Sequence, residues 1–591
     1  MSKILVVGNV IKDVYLNLDA ERNNFETDDA GVNWLDLSFD GSKHNFFKRT
    51  AVFGGVKISQ QIIESFHHKV KLTAEGQPAS DYRYILCKDH QIAYLAPDEH
   101  KKTIWQAPIE TYDWIYVDRS ANVSVELAQN ILAYMAISPR TRLAYYAHAN
   151  MNSIEESLAR VSMLVFADDS LKKQDIPGYQ GLFCHISMNN IVIEGVEQSW
   201  RQTPTRTGLM THLTLYSVIA GTVFAALTDG RNIRDALLLA KINVENATLN
   251  TILPLEKLDQ MVMEYQKNLK NLRLIADSIV SKGILAADES GGSIHKKFEQ
   301  AGIPDDEAHR RDYRNIFFTT KELEKYVSGV ILFDETARQR ADDGSNFVDF
   351  LTSKGIIPGI KVDQGLANFP DSDEKYTKGL DGLPERLEEY HEMGLRFAKW
   401  RAAFEVVPPS DMAIQKNCEI LAQYAKDCQD ALIVPIVEPE VVHDGNYSVE
   451  VCAEVTGKIL DELFRQLVKK HVDLSACILK CNMVLAGKQH ITQSAPEEVG
   501  QMTAATLRAH VPAELAGVVF LSGGQGVEQA TSNLQQVINN GPFPWPVTFS
   551  FARALQGPAL DVWQGNNENA ERARTAFHTR LVANADALIK R

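Results

Sequence analysis

The sequence predicts two successive α/β parts: an α/β domain over residues 1–255, then a (β/α)8 barrel over residues 256–591. Three observations predict it. Short apolar runs in the first part alternate with stretches of helical period, the pattern of a parallel sheet covered on both faces. A charged, amide-rich stretch, Leu255–Asp277, repeats apolar residues every three or four positions and reads as a helix that opens the second part. From Gly283 onward, eight apolar runs each end in polar or charged residues and lead into a helical stretch.

Composition narrows the function. A chain of 591 residues is too long for one core. The formal charge of −15 argues against a nucleic-acid partner held through its phosphates. Seven cysteines show neither a C-x-x-C pair nor metal-finger spacing, which suits reduced thiols and no metal site. The apolar stretch after Met1 is too short for a signal peptide, and no run approaches the ~18 apolar residues of a membrane helix. The expectation is a soluble, cytoplasmic protein without a membrane partner.

In the first part, Lys3–Val7 reads as a buried strand ending at Gly8, and Asp13–Leu18 alternates like a half-buried one. Gly54-Gly55 precedes a helical pattern carried by Ile58, Ile62, Ile63 and Phe66. Strand-like runs follow at Arg83–Cys87, Ile92–Leu95, Trp114–Val117, Leu143–Tyr146 and Ser162–Phe166, with helical stretches at Ser124–Met135 and Ser153–Leu158. Together with the closing helical region Leu213–Asn246, these residues resemble the ribokinase-like (PfkB) sugar kinase family. That family carries a Gly-Ala-Gly-Asp run at a helix start, where backbone N–H groups cradle phosphate and the aspartate acts as base. The corresponding segment here is Thr207-Gly208-Leu209-Met210-Thr211-His212. Thr211 cannot serve as a carboxylate base, and Met210 crowds the anion hole. The resemblance therefore implies a kinase-like fold without kinase activity; the alternatives are an active sugar-phosphate kinase half, or a module that senses a nucleotide or sugar or serves assembly.

In the second part the strand ends are Ile284–Glu289, Val330–Glu335, Ile356–Asp363, Arg396–Arg401, Leu432–Glu440, Cys477–Val484, Val518–Gly524 and Val547–Arg553. In such a barrel the C-terminal strand ends meet in one mouth. Lys361, Lys399, Lys480, Arg401, Arg553, Asp288, Asp363, Glu438 and Glu440 would converge there. Burying so many charges is expensive unless they pair or do chemistry. Partial burial beside other cations frees a lysine amine to attack a ketone, and the resulting protonated Schiff base is an electron sink for C–C cleavage without metal. Nearby carboxylates would move the protons. Ser522-Gly523-Gly524 offers backbone N–H groups at close approach and Arg553 a planar fork, both suited to phosphate.

At this point a second resemblance is close. Residues from about 262 to 591 look like class I fructose-bisphosphate aldolase across the whole domain. The matching segments include Gly283–Ser290, Gly329–Phe333 with Glu335-Thr336, Ala341–Gly344, Gly359–Asp363, Phe397–Arg401, Pro435–Glu440 and Phe520–Gln525. The resemblance implies Lys480 as the Schiff-base lysine, Glu438 as the main acid/base, Asp288 at the C4 hydroxyl, and Lys399 and Glu440 tuning the charges. It places Ser522, Gly523, Gly524, Ser550 and Arg553 on the C1 phosphate. Lys361, Ser290, Ser293 and Lys297 fall toward the C6 phosphate, with Arg401 and Arg311 near the mouth. It implies a phosphosugar substrate, no cofactor, and a homo-oligomer, since the family's barrels commonly form tetramers.

Departures from the family pattern are few. Cys481 replaces the proline after the lysine and restores an N–H. Lys297 stands for arginine and loses the bidentate fork. Ala552 replaces a glycine beside Arg553, and Gly291 replaces a threonine. The sequence ends at Arg591 without the extended tail and terminal tyrosine of the animal enzymes, so tail-assisted proton transfer is not expected.

Overall fold

Before residue 212, a computed structural model describes the strands named below, the helix Val125–Ile137 and a few residues beside or between them. Beyond that it describes residues 212–246, 253, 255–405 and 408–590. Contacts divide the chain into two compact units, Met1–Gln266 and Lys267–Arg591. The division falls inside one continuous helix, Leu255–Ile279, the one its apolar period predicts.

In the first unit the main sheet has eight strands in the order Ser199–Gln202, Asn190–Glu194, Leu182–Ser187, Val161–Phe166, Arg142–Ala147, Trp114–Val117, Lys3–Val7 and Lys69–Leu72. Neighbours from Leu182–Ser187 to Lys69–Leu72 are parallel, while the two strands at the other edge pair antiparallel. The helices His212–Thr228 and Ile233–Asn246 carry Val223, Phe224 and Leu239 into a core with Tyr116 and Cys184.

The expectation of a single parallel sheet is corrected here. Val10–Leu18, Phe46–Gly55, Asp81–Lys88 and Gln91–Leu95 form a second, mixed sheet of six strands with Glu26–Thr27 and Asn33–Trp34. Val10–Leu18 pairs antiparallel with Phe46–Gly55, so Gly54-Gly55 end a strand. Ile58, Ile62, Ile63 and Phe66 and the stretch Ser153–Leu158 lie outside the described residues, as do Gly8 and Thr207–Thr211.

The second unit is a closed barrel of eight parallel strands: Gly283–Ala287, Val327–Leu332, Ile357–Lys361, Phe397–Phe404, Val434–Val441, Ile478–Cys481, Gly517–Phe520 and Val547–Phe551. Side chains alternate between lumen and helix layer because the strand period is two. Ile284, Ala286, Ile331, Phe397, Val434, Ile436, Ile478 and Val519 fill the lumen in one cluster. Leu272, Ala276 and Ile279 of the helix Leu255–Ile279 join them and close the barrel's N-terminal end. Leu285, Ala287, Ala398, Trp400, Val437, Leu479 and Cys481 point the other way, under the surrounding helices. The next lumen positions up the strands are therefore Asp288, Lys399, Glu438 and Lys480: apolar floor, charged mouth. Among the described residues no helix is long and apolar enough to cross a membrane.

Candidate active site

Neighbouring strands fix the levels of the charged side chains. Parallel register sets Ile436 beside Ile478 and Val437 beside Leu479, so Glu438 and Lys480 follow at one height. Lys361 pairs with Lys399, and Arg401 with Glu438, on the adjoining strands.

The side chains then meet in a relay. Lys480 Nζ lies 3.0 Å from Glu438 Oε1, and Lys399 Nζ lies 3.2 Å from Glu438 Oε2 and 2.6 Å from Asp288 Oδ2. Lys480 and Lys399 are 4% and 3% exposed and Glu438 is 3% exposed, so these charges are held almost out of water. Glu438 Oε2 faces Lys399 without an aligned hydrogen bond and stays available as an acceptor. Burial would raise the Asp288 carboxyl, but Lys399, Lys480 and Lys361 outweigh it and hold the group down to about 2. The Glu438 carboxyl is lowered by the same contest, burial against Lys399, Lys480 and Arg401. Burial works to lower the Lys399 ammonium, yet Asp288, Glu438 and Asp363 raise it. Lys399 is thus a cation held between the two carboxylates.

Around the relay, Arg401 Nε donates to Glu440 Oε2 at 2.5 Å, and Lys361 pairs with Asp363 at 2.5 Å. Ser522 and Ser550 are buried, and among the described residues Ser550 Oγ and Thr548 Oγ1 have no hydrogen-bond partner. A Cβ on Gly523 would come 2.7 Å from Glu440 Oε1, so the glycine lets this loop lie against that carboxylate without displacing it. Arg553 is exposed and opens the helix Arg553–Trp563. Ala552 just before it has φ −106°, so its Cβ brings no left-handed strain.

The family profile described as class-I fructose-bisphosphate aldolase matches residues 271–591. The chain belongs to that family. It is similar to fructose-bisphosphate aldolase 2 of Plasmodium berghei (strain Anka), 48% identical over 309 residues that cover 51% of this chain and 84% of the relative. A probable class 1 fructose-bisphosphate aldolase of Xanthomonas axonopodis pv. citri is 46% identical, covering 52% of this chain and 93% of its own. Among solved structures, the Plasmodium falciparum fructose-bisphosphate aldolase in complex with TRAP and a small-molecule inhibitor superposes with a TM-score of 0.54 at 45% identity, covering 55% of this chain and 95% of that one. The chain is thus an aldolase, a carbon–carbon lyase acting on fructose 1,6-bisphosphate.

Not every charged residue near a strand end is free in the mouth. Asp334 and Glu335 leave the strand and start the short helix Asp334–Arg338, where they pair with Arg338 and Arg310 outside the relay. Arg311 is committed to Asp312, Asp342 and the Arg340 carbonyl. The Lys297 ammonium is taken up by Glu289, the Tyr313 hydroxyl at 3.2 Å and Gln556 Oε1 at 3.0 Å. Ser290 and Ser293 lie side by side, Oγ to Oγ 3.2 Å. Cys481 faces the helix layer, and burial pushes its thiol well up.

Sequence reasoning missed the supports of the site. Arg314 is buried and pairs with Glu289 at 2.9 Å, while Gln556 donates to the Ala286 carbonyl at 2.8 Å and so ties the Arg553 helix to the first strand. Asn482 Oδ1 accepts from the Val441 N–H at 3.0 Å, lacing the Lys480 segment to the Glu438 strand above the end of their ladder. Its signal was a buried amide placed two residues after the lysine. Among the described residues no group of three His, Cys, Asp or Glu is gathered for a metal ion.

Proposed function

We propose that Lys480 attacks the C2 ketone of fructose 1,6-bisphosphate and that Glu438 supplies and removes the protons that turn the carbinolamine into a protonated Schiff base. Asp288 then takes the C4 hydroxyl proton. The C3–C4 bond breaks, its electron pair enters the imine, and glyceraldehyde 3-phosphate leaves. Protonation at C3 and hydrolysis release dihydroxyacetone phosphate and restore Lys480. Lys399 and Glu440 hold the charge balance. The observation that carries this reading is one carboxylate, Glu438, within 3.2 Å of both lysines in a nearly dry mouth.

Ser522, Gly523, Gly524, Ser550 and Arg553 take the C1 phosphate in this reading; the unpartnered Ser550 hydroxyl and the exposed Arg553 support it. Lys361, Ser290, Ser293 and Lys297 serve the C6 phosphate, with Arg401 and Arg311 nearby. Their cations leave carboxylate partners to do so. Borohydride with dihydroxyacetone phosphate tests the mechanism. Inactivation with label on Lys480 is expected, EDTA should leave the rate unchanged, and full activity after borohydride would sink the reading.

The same reading gives a cytoplasmic homo-oligomer with a barrel over residues 256–591 and a ribokinase-like domain over residues 1–255 that lacks kinase activity. Parallel neighbours in the main sheet and the separate mixed sheet support a kinase-like architecture. Met210 and Thr211, in place of the family's Gly-Asp pair, speak against phosphoryl transfer. Labelled ATP with the full chain and a panel of sugars tests it; any phosphosugar formed overturns it.

A further inference from the structure

We propose that His443 is a positioning residue that braces the C1-phosphate loop Ser522-Gly523-Gly524 over the Schiff-base lysine. The inference rests on reading that loop as the phosphate cradle. His443 lies just past the strand Val434–Val441, the one that carries Glu438 and Glu440, and is 8% exposed. Its Nε2 lies 3.0 Å from the Ala486 carbonyl oxygen, in the segment after Lys480. A carbonyl only accepts, so Nε2 carries the proton and, in the neutral ring, Nδ1 keeps its lone pair.

Nδ1 is buried, has no hydrogen-bond partner among the described residues, and faces Gly524. A Cβ on Gly524 would sit 2.3 Å from Nδ1 and 2.7 Å from the His443 Cβ, and Gly524 has φ +75°. Position 524 thus admits only glycine for two reasons, backbone conformation and contact with the ring. The His443 carbonyl also accepts the Lys488 N–H at 2.8 Å.

One side chain therefore joins three strand ends: the fifth by its own backbone, the sixth through Ala486 and the seventh through Gly524. The fifth and seventh strands are not ladder neighbours; the sixth, with Lys480, runs between them. Their loops meet beside the sixth, at His443 against Gly524 and at Glu440 against Gly523. The Leu521 N–H donates to the Cys481 carbonyl at 3.0 Å and holds the base of the phosphate loop beside the sixth strand, and the packing of His443 and Glu440 against Gly524 and Gly523 supports the loop beyond that bond.

A brace of this kind holds phosphate equally in ground and transition states, so its loss raises KM and spares kcat. The test uses the full chain with fructose 1,6-bisphosphate and fructose 1-phosphate, which share the C1 phosphate. His443→Ala removes donor and ring; KM should rise about 10-fold for both substrates with kcat within about twofold. His443→Phe keeps the ring and His443→Gln keeps the donor, and each should recover part of the loss. If His443→Ala fails to fold, His443→Phe decides alone. An unchanged KM in a folded variant, or a fall in kcat at constant KM, overturns the inference. Arg553→Ala separates the two readings. If it raises KM while the His443 variants do not, the cradle stands and the brace falls; if neither raises KM, the cradle itself falls.

Discussion

Two strand ends carry nearly the same sequence signature and end up doing different things. Val437-Glu438-Pro439-Glu440 and Leu332-Phe333-Asp334-Glu335 both place two carboxylates after an apolar run. The fifth barrel strand continues to Val441, so Glu438 and Glu440 keep the lumen face and meet Lys480, Lys399 and Arg401. The second strand stops at Leu332, and Asp334 and Glu335 become the first turn of a helix. There the positive end of the helix dipole and two arginines satisfy them at the surface. On the fifth strand the alternation runs on past Glu438 and Glu440, whereas on the second the chain turns into a helix before Asp334 and Glu335 can reach the relay.

Substitutions can break that contrast. Lys480→Met should abolish borohydride trapping and lower kcat by roughly 10⁴-fold or more, since it removes the covalent path itself. Single-turnover assays would show it, and residual turnover near the native rate would move the nucleophile elsewhere. Glu438→Gln keeps the shape and loses the proton transfers, with an expected fall in kcat of about 10²–10³-fold. A change below tenfold would assign the acid/base to another group.

Asp288 sharpens the comparison through pH. Its carboxyl is held down to about 2, below its ordinary value of 3.8, so its contribution to stability is full above that ordinary value and fades as pH falls through about 2. Urea unfolding between pH 5 and pH 2 should show a shallower loss of stability for Asp288→Asn than for the native chain. Equal slopes would mean that Lys399 does not hold the carboxylate in solution. The smallest effect belongs to the other strand end. Glu335→Gln breaks a pair whose two side chains are 23% and 32% exposed, so kcat should change by less than about twofold. A loss comparable to Glu438→Gln would erase the distinction between the two ends.

Much of this was legible in the sequence because alternation and order are local properties. Eight apolar runs with polar ends determined the barrel, and the spacing Lys399–Arg401 or Glu438–Glu440 put each pair on one face of its strand. The helix Leu255–Ile279 was readable from its period. In the first unit the same logic yielded strands but not their sheets. Whether Asp81–Lys88 pairs with Val10–Leu18 or joins the main sheet depends on partners far along the chain.

The sequence by itself determined the family: a lysine, carboxylates and a glycine-rich loop stand at strand ends in the order of a class I aldolase. Only the tertiary structure decided which charges share the lumen, that Lys297 and Arg311 are tied to carboxylates, and that Asn482 and His443 lace adjacent strand ends together. The physical reason is range. Strand period acts over two residues and can be read along the chain, whereas Lys480 meets Glu438 and His443 meets Gly524 across gaps of tens of residues that only packing closes.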